Sequence, residues 1–241
     1  SRNRKKTYLS IADARENKTI IDWNKSQITP PVETGITAFN DFSLDVLRRY
    51  IDWGPFFIAW EMKGKFPDIL QDEKAGEQAR KLFDEANQLL DHMIDEKVIR
   101  ADGVVGLFPA NAVGDDIEIY KNQQRNEVVA TFHTLRQQAQ KRRGQPNKAL
   151  ADFVAPKETG RPDYMGAFAV TTGHGVLDLV KKFEEDHDDY NAILVKALAD
   201  RLAEAFAEYL HQQVRTNLWG YNPNEDLDND QLIKEVYPGI R

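Results

Sequence analysis

Apolar residues recur every four positions along the stretch from His187 to Gly220. The row consists of Leu194, Leu198, Leu202, Phe206, Leu210, Val214 and Leu218. This spacing is the apolar stripe of an α-helix, and Gly220 suits a helix C-terminus. About thirty residues at 1.5 Å each predict a rod of roughly 45–50 Å, long enough to cross a domain of this size.

A second row on the same predicted helix is acidic. Asp200, Glu204 and Glu208 also lie four residues apart, and like charges at this spacing destabilise a helix slightly. The acidic row is therefore either solvated or faces something positive.

The remaining periodic segments are rich in helices, then in strands, then in helices again. Helices are predicted over residues 10–17, 44–52, 72–99, 176–185 and 230–237, and another begins at Gly54-Pro55. Strands are predicted over residues 35–39, 103–110, 117–120, 128–135, 150–154 and 164–170, and a loop over 171–175. Short turns between consecutive strands favour an antiparallel sheet packed by long helices, so the predicted fold class is α+β. No repeat or interdomain linker is visible, which predicts one domain over residues 1–241, with 1–7 as a linker.

Residues 50–60 combine five aromatic side chains with a helix break at Gly54-Pro55. Asp52 lies at this break. Its carboxylate can cap the backbone N–H groups of the next helix, or it can accept hydrogen bonds from a ligand. The residues alone favour the cap.

Composition narrows the classes of protein. A net charge of −7 and a pI of about 5.3 argue against a nucleic-acid or membrane-surface binder. The chain has no cysteine, which excludes disulfides. It shows no transmembrane run or signal peptide, so a cytoplasmic protein is expected. The absence of an initiator Met and of a closing element after Tyr237 suggests a fragment of a longer protein.

The segment 135–148 is basic within this acidic chain. A solvated helix end and loop is the favoured interpretation. The alternative is a docking patch for an acidic partner.

Catalytic chemistry is poorly supported by the residues. There is no His-Glu-x-x-His motif, and His187 with its following aspartates fits the start of a helix better than a metal site. No nucleophile, acid–base pair or metal set is predicted. The best candidates for ligand binding are carboxylates and one arginine: Asp52, the acidic row, Glu235 and Arg241.

Several long stretches carry a resemblance to a known family: YIDWGPFF, GVVGLFPANAVGDDIEIY, LADFVAPK, DYMGAFAVTTG, HDDYNAILVKALADRLAEAFAEYLHQQVR and LWGYNPNE with YPGIR. Over residues 8–241 the chain resembles the activation domain of cobalamin-dependent methionine synthase. The resemblance implies a single C-shaped α+β domain that binds S-adenosylmethionine, beside a cobalamin held by another domain of the same polypeptide. It also implies reductive methylation of cob(II)alamin, with an electron from flavodoxin or an equivalent reductase.

The resemblance also implies roles for particular residues. Asp52 matches an aspartate that binds the ligand's amino-acid or adenosyl end, and Glu204 and Glu235 match two glutamates near the sulfonium. Arg241 matches the first residue of an R-x-x-x-G-Y motif. The chain stops there, so a sheet edge and one wall of the pocket are expected to be missing or exposed. Asp200 and Glu208 are expected to be partly solvated.

The resemblance implies that the reduced cobalt itself is the nucleophile. This is consistent with the absence of a predicted nucleophile or acid–base pair in the sequence. The isolated fragment is therefore not expected to be catalytic alone. The alternative function is a docking module for the cobalamin domain and a flavodoxin-like reductase, without a tight ligand site of its own.

Overall fold

The computed structural model describes residues 7–239. The helices in this range are α1 Ile11–Glu16, α2 Leu44–Arg48, α3 Trp53–Ala59, α4 Gly76–Asp95, α5 Val176–Glu185, α6 Asp189–Gln213 and α7 Asn229–Ile233. The strands are β1 Gly35–Phe42, β2 Arg100–Val113, β3 Asp116–Tyr120, β4 Val128–His133 and β5 Asp163–His174. Helices and an antiparallel sheet together confirm the predicted α+β class.

The strands form one five-stranded sheet in the order β1-β2-β3-β4, with β5 also paired to β2. In the β2–β3 hairpin Ala110 lies opposite Ile119. In the β3–β4 hairpin Ile117 lies opposite Phe132. The polar residues between β3 and β4 form the predicted turn, closed by a hydrogen bond from the Lys121 N–H to the Glu127 carbonyl at 3.0 Å.

One strand prediction and one loop prediction need correction. Residues 150–154, predicted as a strand, form the 3₁₀ helix Leu150–Phe153. The Asp152 carboxylate accepts a hydrogen bond from the backbone N–H of Ala149 at 3.1 Å, and this local bond closes the chain into a turn. The predicted loop 171–175 is strand as far as His174, because the β-branched Thr171 and Thr172 fit a pleated surface.

The chain divides into two compact units. One comprises the described residues up to Gly35 together with Gly106–Ala167, and the other comprises Ile36–Val105 together with the described residues from Phe168 onward. The core of the first unit is a cluster of small and branched apolar side chains: Ala110, Ala112, Ile117, Ile119 and Ala151, flanked by Phe108, Val154 and Met165.

A buried arginine organises the first unit. The side chain of Arg136 is 1% exposed and binds Asp115 and Asp152, each at 2.6 Å. Arg15 adds a second contact to Asp115 at 2.8 Å. Burial alone would raise the pKa of both carboxyl groups, but the hydrogen bonds and charge of Arg136 outweigh it and hold each pKa below its ordinary value.

The second unit is built around α6, which packs against α2, α3, α4 and α5. The row of leucines and one phenylalanine that predicts this helix is buried from Leu194 to Leu210. After Gln213 the chain continues as a π-helical turn, Val214–Leu218, and Gly220 follows with a φ of 76°. The long helix is confirmed, with a wider last turn. Across residues 7–239, the helices are too short or too polar to cross a membrane.

Replacement of the buried arginine tests how much the first unit depends on it. In Arg136→Met, Asp152 loses its cation and Asp115 keeps only Arg15, and we expect a loss of about 3–5 kcal/mol in the free energy of unfolding at pH 7. Both aspartates have lowered pKa values, so their contribution is present above about pH 4 and is lost as the pH falls further. Urea unfolding at pH 7 and at about pH 3 should therefore show a smaller deficit at the lower pH.

The matched control is Arg142→Met, because Arg142 lies in the same segment and is exposed. This control should change stability by less than about 0.5 kcal/mol. Equal losses in the two variants at pH 7 would contradict the role assigned to Arg136.

Candidate functional site

The second unit contains a cleft of about 740 Å³ beside Asp52. Its walls come from the turn between α2 and α3, from α3 itself, from residues 64–67 and from α7. Trp53, Pro55, Ile58, Phe66 and Ile233 supply apolar surface there. Edge-to-face contacts of Trp53 with Phe56 and Phe83 hold this wall in place. The cleft therefore suits a ligand with an apolar body.

Asp52 is both a structural cap and a possible ligand contact. Its Oδ1 accepts a hydrogen bond from the Gly54 N–H at 2.8 Å, which makes Asp52 the N-cap of α3. The predicted cap is therefore confirmed. Among residues 7–239, Oδ2 has no hydrogen-bond partner, and the half-buried side chain lines the cleft. One oxygen thus fixes the carboxylate while the other remains able to accept a hydrogen bond.

Helix α7 is anchored against the same turn. Asp228 and Gln231 form a capping box at its start, with hydrogen bonds of 2.8 Å and 3.0 Å. The Asn229 side-chain amide donates to the Ile51 carbonyl at 3.2 Å. These bonds place one face of α7 directly opposite the residues around Asp52.

Glu235 follows the end of α7 in a left-handed conformation, with a φ of 56°. The Glu235 N–H donates to the Leu232 carbonyl at 2.9 Å, and the Val236 N–H donates to the Gln231 carbonyl at 3.0 Å. These two bonds form a Schellman motif, in which glycine is the usual residue at this position. A glutamate here holds a conformation that L-residues disfavour by about 1–2 kcal/mol. Such strain is often found at functional sites.

Glu204 lies away from the cleft walls. It is on an exposed part of α6, and its Oε1 is 4.0 Å from the Arg201 Nη2. Arg201 bonds more closely to Asp200, at 2.5 Å. Asp52 and Lys234, the residue before Glu235, line the same cleft, whereas Glu204 does not line it. Arg241 lies outside the described residues.

The expectation for Glu208 was wrong. Glu208 is buried rather than partly solvated, and its Oε1 lies 3.8 Å from the Nη2 of the fully buried Arg215. Arg215 in turn binds Glu225. Sequence reasoning missed this cluster, although Glu208 and Arg215 are seven residues apart and so lie on one helix face. Nothing in the sequence indicates Glu225 as their partner.

The basic segment of the first unit is an irregular loop rather than a helix end. The buried Asn147 holds it by donating to the carbonyls of Gln137 and Ala139 at 2.7 Å and 3.0 Å. Lys141, Arg142 and Arg143 form no ion pair within residues 7–239. In that range no group of three His, Asp or Glu side chains is placed to hold a metal ion.

The fold is an α+β module with a cleft that is lined by two carboxylates, Asp52 and Asp230, and by four basic side chains, Arg48, Arg49, Lys65 and Lys234. Residues 43–241 match the family model described as the vitamin B12-dependent methionine synthase activation domain, and the chain belongs to this family. It is also similar to the MetH reactivation domain bound to AdoHcy, known from a crystal structure. The two are 52% identical with a TM-score of 0.94, over 97% of this chain and 71% of that one. The predicted family is confirmed. Because methionine synthase is a methyltransferase, the chain is a domain of a methyltransferase.

Two substitutions at Asp52 distinguish the contribution of its capping hydrogen bond to stability from the contribution of its negative charge. Asp52→Ala removes the hydrogen bond to Gly54, and we expect it to cost about 1 kcal/mol of stability. Asp52→Asn keeps a side-chain oxygen and should cost only a few tenths of a kcal/mol, because Asn caps helices about as well as Asp. Thermal unfolding followed by circular dichroism measures both. Equal losses would show that the charge, and not the hydrogen bond, supports α3.

Proposed function

We propose that this chain is the S-adenosylmethionine-binding reactivation module of cobalamin-dependent methionine synthase. The observation that carries the proposal is the cleft beside Asp52, with one carboxylate oxygen fixed by a helix N-terminus and the other without a partner in the described residues. Support comes from the similar reactivation domain, which is bound to AdoHcy. AdoHcy is S-adenosylmethionine without its transferable methyl group.

The donor set of the chain fits such a ligand. S-adenosylmethionine carries a sulfonium and an ammonium group, whose charges carboxylates can balance, and a carboxylate, which basic side chains can bind. A pair of opposite charges 4 Å apart near a protein surface interacts by on the order of 4 kcal/mol. Asp52 supplies one carboxylate and Glu235 a second beside α7. Glu204 on α6, which the family resemblance assigns to the sulfonium, lies outside the cleft walls, so its part requires a ligand that extends beyond them. Arg241 is assigned to the ligand's carboxylate, which a guanidinium can bind through two hydrogen bonds.

The reaction proposed is the reductive methylation of cob(II)alamin to methylcobalamin, in which S-adenosylmethionine supplies the methyl group and a flavodoxin-like reductase supplies an electron. In this scheme the module binds and orients the methyl donor. The cobalamin belongs to another domain of the polypeptide. The chain need not provide a nucleophile or a general base, because carboxylates that balance the sulfonium charge are sufficient for its part.

Glu235 offers a sharp test, because glycine is the preferred residue at its backbone conformation. Glu235→Gly should keep or raise stability by up to about 1 kcal/mol. It should weaken S-adenosylmethionine binding tenfold or more, because it removes a carboxylate near the sulfonium. Calorimetric titration of the full-length gene product measures the affinity, and thermal unfolding measures the stability.

Glu61→Gly is the matched control. Glu61 has a φ of 57° and follows α3 in the same motif, with bonds from the Glu61 N–H to Ile58 at 2.9 Å and from the Met62 N–H to Phe57 at 3.0 Å. This variant should gain similar stability without losing affinity. The proposed function fails if wild-type protein does not bind S-adenosylmethionine, or if Asp52→Ala combined with Glu204→Ala leaves binding unchanged.

The alternative function, docking of an acidic reductase, rests on the three cations of the basic loop. Lys141, Arg142 and Arg143 lie on a segment fixed by Asn147, and they have no acidic partner in the described residues. Charges of this kind increase association rates with acidic partners.

Neutralisation of the loop tests this alternative. With Lys141, Arg142 and Arg143 all changed to Gln, we expect flavodoxin binding at low salt to weaken at least tenfold and to lose most of its salt dependence. Binding can be followed by fluorescence of the bound flavin at several ionic strengths.

The control removes the same charge elsewhere, through Lys74→Gln, Lys97→Gln and Lys182→Gln together. All three of these lysines are exposed. If both triple variants bind flavodoxin equally well, the basic loop is not the docking surface.

A further inference from the structure

The π-helical turn after α6 carries the most thoroughly buried cation of the second unit. The Arg215 side chain is 0% exposed. Its Nε and Nη2 donate to the two oxygens of Glu225 at 2.7 Å and 2.8 Å. Asn222 also donates to Glu225 at 3.0 Å, and the Asn222 N–H donates to the Arg215 carbonyl at 2.9 Å. One edge of the guanidinium is therefore fixed by the loop that follows the helix.

The face of the same guanidinium contacts the segment after α7. The Arg215 Cζ lies 3.8 Å from the centre of the Tyr237 ring, which is a close cation–π contact. The His211 ring meets Tyr237 edge-on, at 5.3 Å and 89°. Tyr237 comes two residues after Glu235, so this contact ties the end of the Glu235 segment to α6.

The charges around Arg215 keep it in this position. Glu208 lies 3.8 Å from Nη2 on the side of α6. The hydrogen bonds from Arg215 hold the pKa of the Glu225 carboxyl below its ordinary value. Two buried carboxylates lie beside one guanidinium, so its loss would remove the arginine charge from both. A lysine could supply the charge, but it could not form the two parallel hydrogen bonds to Glu225 or offer a planar group to the Tyr237 ring.

We infer that Arg215 is a positioning residue for ligand binding: it holds Tyr237 by its face and thereby keeps Glu235 in the left-handed conformation beside the cleft. The assignment of a ligand to Glu235 rests on the proposed function. The anchoring of the segment does not, because it follows from the contacts of Arg215 alone. The two parts can therefore be measured separately.

The anchor is tested by Tyr237→Leu, which removes the ring and leaves the pair between Arg215 and Glu225 in place. The readout is hydrogen exchange of the Glu235 and Val236 amides, which are bonded to Leu232 and Gln231. We expect both amides to exchange at least tenfold faster, while amides in the middle of α6 keep their protection. Tyr237→Phe keeps the ring on the guanidinium and should exchange as wild type does. Arg215→Lys should resemble Tyr237→Leu.

The same variants are then titrated with S-adenosylmethionine in the full-length gene product. Tyr237→Leu should bind S-adenosylmethionine at least tenfold more weakly than wild type, with an unchanged melting temperature of the protein. Tyr237→Phe should bind it as tightly as wild type does. Unchanged exchange in Tyr237→Leu overturns the anchor, and faster exchange with unchanged affinity overturns its role in binding. Faster exchange in a protein whose wild type does not bind S-adenosylmethionine supports the anchor and rejects the proposed function.

Discussion

A guanidinium buried away from water must be matched in charge and in hydrogen bonds, and this constraint shapes both units of the protein. Arg136 meets it through Asp115 and Asp152 in the first unit. Arg215 meets it through Glu225, with Glu208 close by, in the second. Each cluster ties a segment without regular secondary structure, around Arg136 or around Glu225, to another part of its unit. Loss of either cation would leave a buried carboxylate, Asp152 or Glu225, without its arginine, which is far more costly than loss of a surface ion pair.

The candidate site is built largely from helix ends. Asp52 begins α3, the capping box of Asp228 begins α7, and Glu235 closes α7 in a Schellman motif. Helix ends leave backbone groups without partners inside the helix, so the side chains that satisfy them are held in defined positions. Asp52, for example, caps α3 with Oδ1 and has no hydrogen-bond partner for Oδ2 within residues 7–239. A binding carboxylate can therefore be positioned by the fold without a separate scaffold.

Membership of the activation-domain family and the proposed chemistry require little of the chain beyond binding and orientation. Carboxylates near a sulfonium act by charge, so their spacing along the sequence need not follow a catalytic motif. The basic loop, with its cations unpaired in the described residues, adds a second surface of opposite charge. A module that binds a methyl donor and approaches two partners in turn would use both surfaces.

The sequence by itself determined the long helix α6, the order of helices and strands, the α+β class and the family. These follow from local periodicity and from long matching motifs. Only the tertiary structure decided that Glu208 is buried, that Arg215 pairs with Glu225, and that residues 150–153 form a 3₁₀ helix. It also showed that Asn229 bonds to Ile51, 178 residues away. The physical reason is that burial and pairing depend on side chains distant in sequence, whereas a helix or strand pattern depends only on near neighbours.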